Sequence, residues 1–120
     1  MKRIVIVDDH PMIRGTIADV LRADPELDLV GECGDGEDGL KMVLAENPDL
    51  VILDHWLPVS SGGDLCRQIK DYQPTANIPV MLVSAVVNLP ELASFCRADD
   101  YIAKPFELEE MTRKMKIYLD

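Results

Sequence analysis

Short apolar runs recur along this chain with amphipathic stretches between them, and that alternation restricts the fold more than any other feature. Ile4-Val5-Ile6-Val7, Leu50-Val51-Ile52-Leu53 and Val80-Met81-Leu82-Val83 are unbroken, as expected of strands covered on both faces. Leu29-Val30 and Tyr101-Ile102-Ala103 read as weaker strands. Between them, Ile13, Ile17, Val20 and Leu21 recur at helical spacing, followed in a second helix by Leu40, Val43 and Leu44, which Asn47-Pro48 ends. Leu65 and Ile69 mark a third helix after Gly62-Gly63, and a fourth opens with Pro90 as its first residue. Leu108, Met111, Met115 and Leu119 mark the last. These stripes are expected to be core. Strands alternating with helices predict a parallel sheet wrapped by helices, built from βα units as one domain over residues 1–120.

In such open sheets, ligands bind beyond the carboxyl ends of the strands, where strand order reverses. The residues just past the apolar runs are Asp8 and Asp9, Asp54, Ser84, and Lys104 with Pro105. One aspartate at a strand end is ordinarily a helix cap or turn former. A whole set delivered to one edge is a site. Two carboxylates about 4 Å apart repel by about 4 kcal/mol at an effective dielectric of about 20. Lys104 alone leaves three such carboxylates with a net negative charge, so a hard divalent cation is expected, and Mg²⁺ (or Mn²⁺) suits few carboxylates with several waters. A carboxylate can also act as a nucleophile toward phosphorus, giving an acyl phosphate. Asp54 ends the central strand and is the best placed to do so, with Lys104 pairing to phosphoryl oxygens and Ser84 donating a hydrogen bond to one.

Charge fits this reading. Acidic residues outnumber basic ones 22 to 12, a formal charge of −10 that repels nucleic acid and anionic membrane faces. No direct DNA binding and no membrane association are expected. Cys33, Cys66 and Cys96 lack a CxxC pair and metal spacing, so reduced thiols of a cytoplasmic protein are expected. Met1-Lys2-Arg3 precedes too short an apolar run for a signal peptide.

The motifs Ile-Val-Asp8-Asp9-His10-Pro11, Leu-Asp54-His-Trp-Leu-Pro58, Val-Ser84-Ala85 and Ala-Lys104-Pro105-Phe106 stand in the order and spacing of a known family. The chain resembles, from about Arg3 to Tyr118, the receiver domains of two-component response regulators. The resemblance implies a flavodoxin-like doubly wound sheet of order 2-1-3-4-5 with five helices, and Asp54 as phosphoacceptor. It implies Asp9 as the direct carboxylate ligand to Mg²⁺, Asp8 acting mainly through water, and the Trp56 backbone carbonyl as a further ligand. Ser84, Ala85 and Lys104 stand at its phosphoryl-binding positions. Ser84 and Tyr101 stand at its switch positions, coupled to the surface of the fourth helix, fifth strand and fifth helix. Lys104-Pro105 matches its cis peptide. The implied partners are a cognate sensor histidine kinase or a phosphotransfer protein, with a homodimer on phosphorylation as one form of output. The implied chemistry is self-catalysed phosphotransfer and autodephosphorylation. The Asp-Asp-His-Pro opening is similar to regulators carrying a C-terminal helix-turn-helix output domain; no output domain is expected in this chain.

Some residues depart from the family pattern. Trp56 is bulky where a smaller or polar side chain is common, and Val86 is apolar, so no polar side chain orients an attacking water and a long-lived phospho-state is expected. The stretch from Ser84 to Lys104 is shorter than usual, which implies a short fourth helix, and Arg97-Ala98 replaces the common Gly-Ala. His10 reads as a loop residue beside Pro11 rather than a metal ligand or phosphodonor. Two other classes compete: a docking module independent of phosphorylation, and an aspartyl-phosphate phosphohydrolase. The second requires an Asp-x-Asp pattern after the first strand and a cap, whereas Asp8 and Asp9 are adjacent. A flavin phosphate would be repelled by the acidic, glycine-free Asp8-Asp9-His10-Pro11 loop.

Overall fold

The computed structural model describes residues 1–58 and 60–119. Strands and helices alternate in the order β1 (Lys2–Val7), α1 (Pro11–Arg22), β2 (Leu27–Cys33), α2 (Gly36–Glu46), β3 (Leu50–Leu53), α3 (Gly62–Asp71), β4 (Val80–Ser84), α4 (Leu89–Cys96), β5 (Asp100–Ala103) and α5 (Leu108–Leu119). A 3-10 turn, Gln73–Thr75, follows α3. All strand pairs are parallel, and the sheet order is β2-β1-β3-β4-β5. This is the flavodoxin-like arrangement expected from the sequence. Its switch point lies between β1 and β3, because the chain leaves β1 toward one edge and returns to build toward the other.

The period of two along each strand sorts the core into two halves. Val5, Val7, Val51, Leu53, Val80 and Leu82 face α2, α3 and α4, where they meet Val43, Leu65, Ile69 and Ala93. Ile4, Ile6, Leu50, Ile52, Met81 and Val83 face α1 and α5, where they meet Ile17, Leu21, Met111 and Met115. Burying one such aliphatic side chain contributes about 1.5–3 kcal/mol, so the two halves together hold the sheet between its helix layers. Val30 is skipped in the β1–β2 register, which makes a bulge in β2.

Two stripe residues expected inside lie outside. Leu44 is 48% exposed and Leu108 is 40% exposed. In α2 the reason is close approach: a Cβ on Gly39 would lie 2.9 Å from Val7 Cγ2. A helix seated that near the sheet buries a narrow stripe, filled by Gly39, Val43 and partly by Leu40 and Met42. Leu108 begins α5 at the rim, with only the later turns of that helix over the sheet. The fourth helix opens one residue earlier than Pro90, at Leu89, which is buried; Pro90 is tolerated within the first turn. All three cysteines are free thiols, Cys66 and Cys96 buried and Cys33 half-buried. No helix among the described residues is long and apolar enough to cross a membrane.

Helix α4 has eight residues and ends on Arg97, whose φ of 62° is left-handed. Glycine takes that conformation freely, whereas a residue with a Cβ loses about 1 kcal/mol there. Arg97 offsets part of this through an exposed ion pair with Asp71, worth about 0.2–1 kcal/mol. Arg97→Gly is therefore expected to raise the urea midpoint and Arg97→Ala to lower it, the two differing by about 1 kcal/mol.

Candidate functional site

Asp8 and Asp54 are the first residues past β1 and β3, the two strands that flank the switch point. Val7 and Leu53 are register partners, and the Asp54 N–H donates to the Val7 carbonyl at 2.9 Å. The backbone alone therefore brings the two aspartates side by side. Both are almost fully buried, Asp8 at 3% and Asp54 at 1% exposure. Unpaired carboxylates in such places would lose several kcal/mol of hydration each. Lys104, one residue past β5, supplies the counter-charge. Its ammonium donates to Asp8 Oδ2 and to Asp54 Oδ2, each at 3.0 Å. The Lys104–Pro105 bond is cis.

The remaining oxygens are held locally. Asp54 Oδ1 accepts from the Trp56 N–H at 3.3 Å, and Asp8 Oδ1 accepts from the His10 N–H at 2.9 Å. Arg14 on α1 donates to the Asp8 carbonyl at 2.9 Å, fixing the turn that carries the pair. Asp9 is more open, with 36% of its side chain exposed. His10, read from the sequence as a loop residue, stands inside the cluster. Its Nδ1 lies 3.0 Å from Asp8 Oδ1, 3.3 Å from Asp9 Oδ1 and 3.4 Å from Asp54 Oδ2. Ligand atoms of Asp8, Asp9, His10 and Asp54 lie within 4.8 Å of one another. Three carboxylates against the one Lys104 ammonium leave two negative charges, which is the deficit a divalent cation fills. The donor set fits such an ion: mostly carboxylate oxygen, converging, and open on the Asp9 side.

Ser84 is the last residue of β4 and is completely buried, yet its hydroxyl has no hydrogen-bond partner. Buried polar groups are nearly always satisfied, so this unpartnered hydroxyl at the strand end stands out among the described side chains. Ala85 follows it, exposed. Trp56, 59% exposed, meets the His55 ring edge to face with centroids 5.1 Å apart. Tyr101 on β5 is 37% exposed, and Lys114 stands 5.2 Å above its ring. Tyr101 is thus separate from the acidic cluster, turned to the outer rim of the sheet.

One contact sets the height of Asp54 and was not legible in the sequence. Gly62, the first residue of α3, packs directly under the Asp54 carbonyl. A Cβ there would stand 1.9 Å from that oxygen and 2.8 Å from the His55 Cα. Both are backbone atoms, so the strand end would have to move. Gly62→Ala is expected to destabilise the fold by about 3 kcal/mol in urea unfolding, the upper range for overpacking.

Residues 4–116 match the family described as the response regulator receiver domain. The chain is similar to the DNA-binding transcriptional activator DevR/DosR of Mycobacterium tuberculosis, 33% identical over 97% of this chain and 54% of that protein. It spans about half the length of several curated relatives it matches. Among solved structures, the BeF3-activated DrrB receiver domain superposes with a TM-score of 0.84 at 31% identity, covering 99% of this chain and 97% of that one. A DNA-binding response regulator of the LuxR family from Staphylococcus aureus superposes at 0.91 over the whole of both chains, but at 22% identity this is a likeness of fold. With its sheet order, its acidic edge and a family match over nearly its whole length, this chain belongs to the receiver domains of two-component response regulators.

Proposed function

We propose that Asp54 takes a phosphoryl group from a phosphohistidine on a sensor kinase or phosphotransfer protein. The observation that carries this is the buried Asp54 carboxylate, 3.0 Å from the Lys104 ammonium, beside two further carboxylates and an unpartnered Ser84 hydroxyl. A carboxylate oxygen of Asp54 attacks phosphorus while the phosphorus–nitrogen bond breaks, and the electron pair returns to the donor imidazole. Asp8, Asp9 and Asp54 would hold Mg²⁺ or Mn²⁺ together with the Trp56 carbonyl. When bound, the ion neutralises charge on the phosphoryl oxygens. Lys104 exchanges carboxylate oxygens for a phosphoryl oxygen, and Ser84 and the backbone at Ala85 take others.

The donor would dock on the apolar face beside Lys104. An apolar groove of about 280 Å³ runs beside Lys104, between Met12 and Ile13 of α1 and Pro105, Phe106 and Leu108. Met12 is 84% exposed and adds its apolar surface to the mouth of that groove. A histidine-bearing helix laid in that groove would have its imidazole next to Asp54. Output follows from the new charge. The Ser84 hydroxyl, unpartnered now, gains an acceptor, and Tyr101 moves from beneath Lys114 into the space released, reshaping the surface of α4, β5 and α5. Control of a downstream domain, or of a second copy of the chain, would be exerted through that surface.

Incubation with acetyl phosphate and Mg²⁺ should add one phosphoryl group, about 80 Da by intact mass, and Asp54→Ala or EDTA should abolish the gain. No gain in wild type with the ion bound would instead favour docking independent of phosphorylation. Trp56, two residues past Asp54, is bulky, and Val86, two residues past Ser84, is apolar, so neither of these positions offers a side chain to orient water. Trp56→Asn is therefore expected to shorten the phospho-state several-fold, read as loss of the added mass with time.

A further inference from the structure

We infer that His10 is a nitrogen ligand of the cation site and biases it toward first-row transition ions such as Mn²⁺ over Mg²⁺. The inference rests on the reading of Asp8, Asp9 and Asp54 as the cation site. One ring nitrogen carries at most one hydrogen, so Nδ1 can make only one well-aligned hydrogen bond to the three carboxylates around it. Yet oxygens of Asp8, Asp9 and Asp54 stand 3.0, 3.3 and 3.4 Å from that same nitrogen. A hydrogen bond to Asp8 accounts for the shortest of these approaches, and the other two fit either an imidazolium drawn to the carboxylates or an ion shared with them.

A common centre accounts for all of them. Two ligands at right angles on an ion with bonds of about 2.1 Å are separated by about 3.0 Å. The three nitrogen–oxygen separations are close to that spacing, as neighbouring donors on one octahedral ion would be. Local structure also frees the imidazole for this role. His10 occupies the N-cap of α1, but its side chain makes no capping hydrogen bond, and Pro11 at the start of the helix has no N–H to be capped. The His10 N–H is bonded to Asp8 Oδ1 at 2.9 Å, which ties the ring's backbone to a carboxylate of the same site. Imidazole nitrogen is a borderline donor. Affinity for such a donor rises along the first row from Mn²⁺ toward its heavier neighbours, whereas Mg²⁺ prefers oxygen. His10 would thus raise affinity for the first group with little effect on the second.

The alternative role for His10 is a counter-charge, an imidazolium paired with the carboxylates. The two roles predict opposite results. Pulsed electron paramagnetic resonance of the intact chain with Mn²⁺ should show nitrogen modulation from a directly bound imidazole, lost in His10→Ala. The same variant should bind Mn²⁺ about tenfold more weakly, with Mg²⁺ affinity changed by less than about threefold. Mg²⁺ binding can be followed through Trp56, the one tryptophan of the chain. If Mn²⁺ binds without nitrogen modulation, or His10→Ala tightens or weakens both ions alike, the ligand role is overturned while the carboxylate site stands. Asp9→Asn separates the two readings: if it leaves Mn²⁺ binding unchanged, the carboxylate site falls and His10's role falls with it.

Discussion

The ammonium of Lys104 lies between two carboxylates that the fold has removed from water, and the rest of the molecule is arranged around that fact. Asp8 and Asp54 are 3% and 1% exposed, and each would be a burden of several kcal/mol without a partner. The partner comes from far along the chain: Lys104 is 96 residues from Asp8 and 50 from Asp54. Only the completed sheet brings it there, because β5 is the last strand added at the edge and β4 separates it from β3. The compensation is also incomplete. One ammonium against three carboxylates leaves the edge short of positive charge by the amount a divalent ion would supply.

The two-sided core keeps this crowded edge rigid. Alternate residues of β1, β3 and β4 lock into opposite helix layers, so a strand cannot slide by one residue without exchanging its buried face for the other. Glycines at 39 and 62 let α2 and α3 press against β1 and the end of β3. With helices that close, the strand ends cannot drift apart to relieve the repulsion of their carboxylates.

Much of this was written in the apolar runs. Ile4–Val7, Leu50–Leu53 and Val80–Val83 announce buried strands because both faces must be apolar, and the polar residue ending each run announces the edge. The failures share a cause. Leu44 and Leu108 satisfy helical periodicity, but periodicity carries no information on how close a helix sits or which turn overhangs the sheet. His10 was passed over for a related reason: its proximity to Asp54 depends on the alignment of β1 with β3, a relation between segments that local pattern does not encode. The Gly62 contact with Asp54 is hidden in the same way, since a glycine opening a helix has many ordinary explanations.

The Lys104 N–H donates to the Ser84 carbonyl at 2.9 Å, as the rung that ends the β4–β5 ladder. Lysine and hydroxyl are therefore not carried on two loops that must find each other. They are neighbouring teeth of one comb, with a separation set when the sheet forms. Under the proposed phosphorylation of Asp54, the two side chains would reach the phosphoryl oxygens by turning about their own torsions, with the strand pairing beneath them already made.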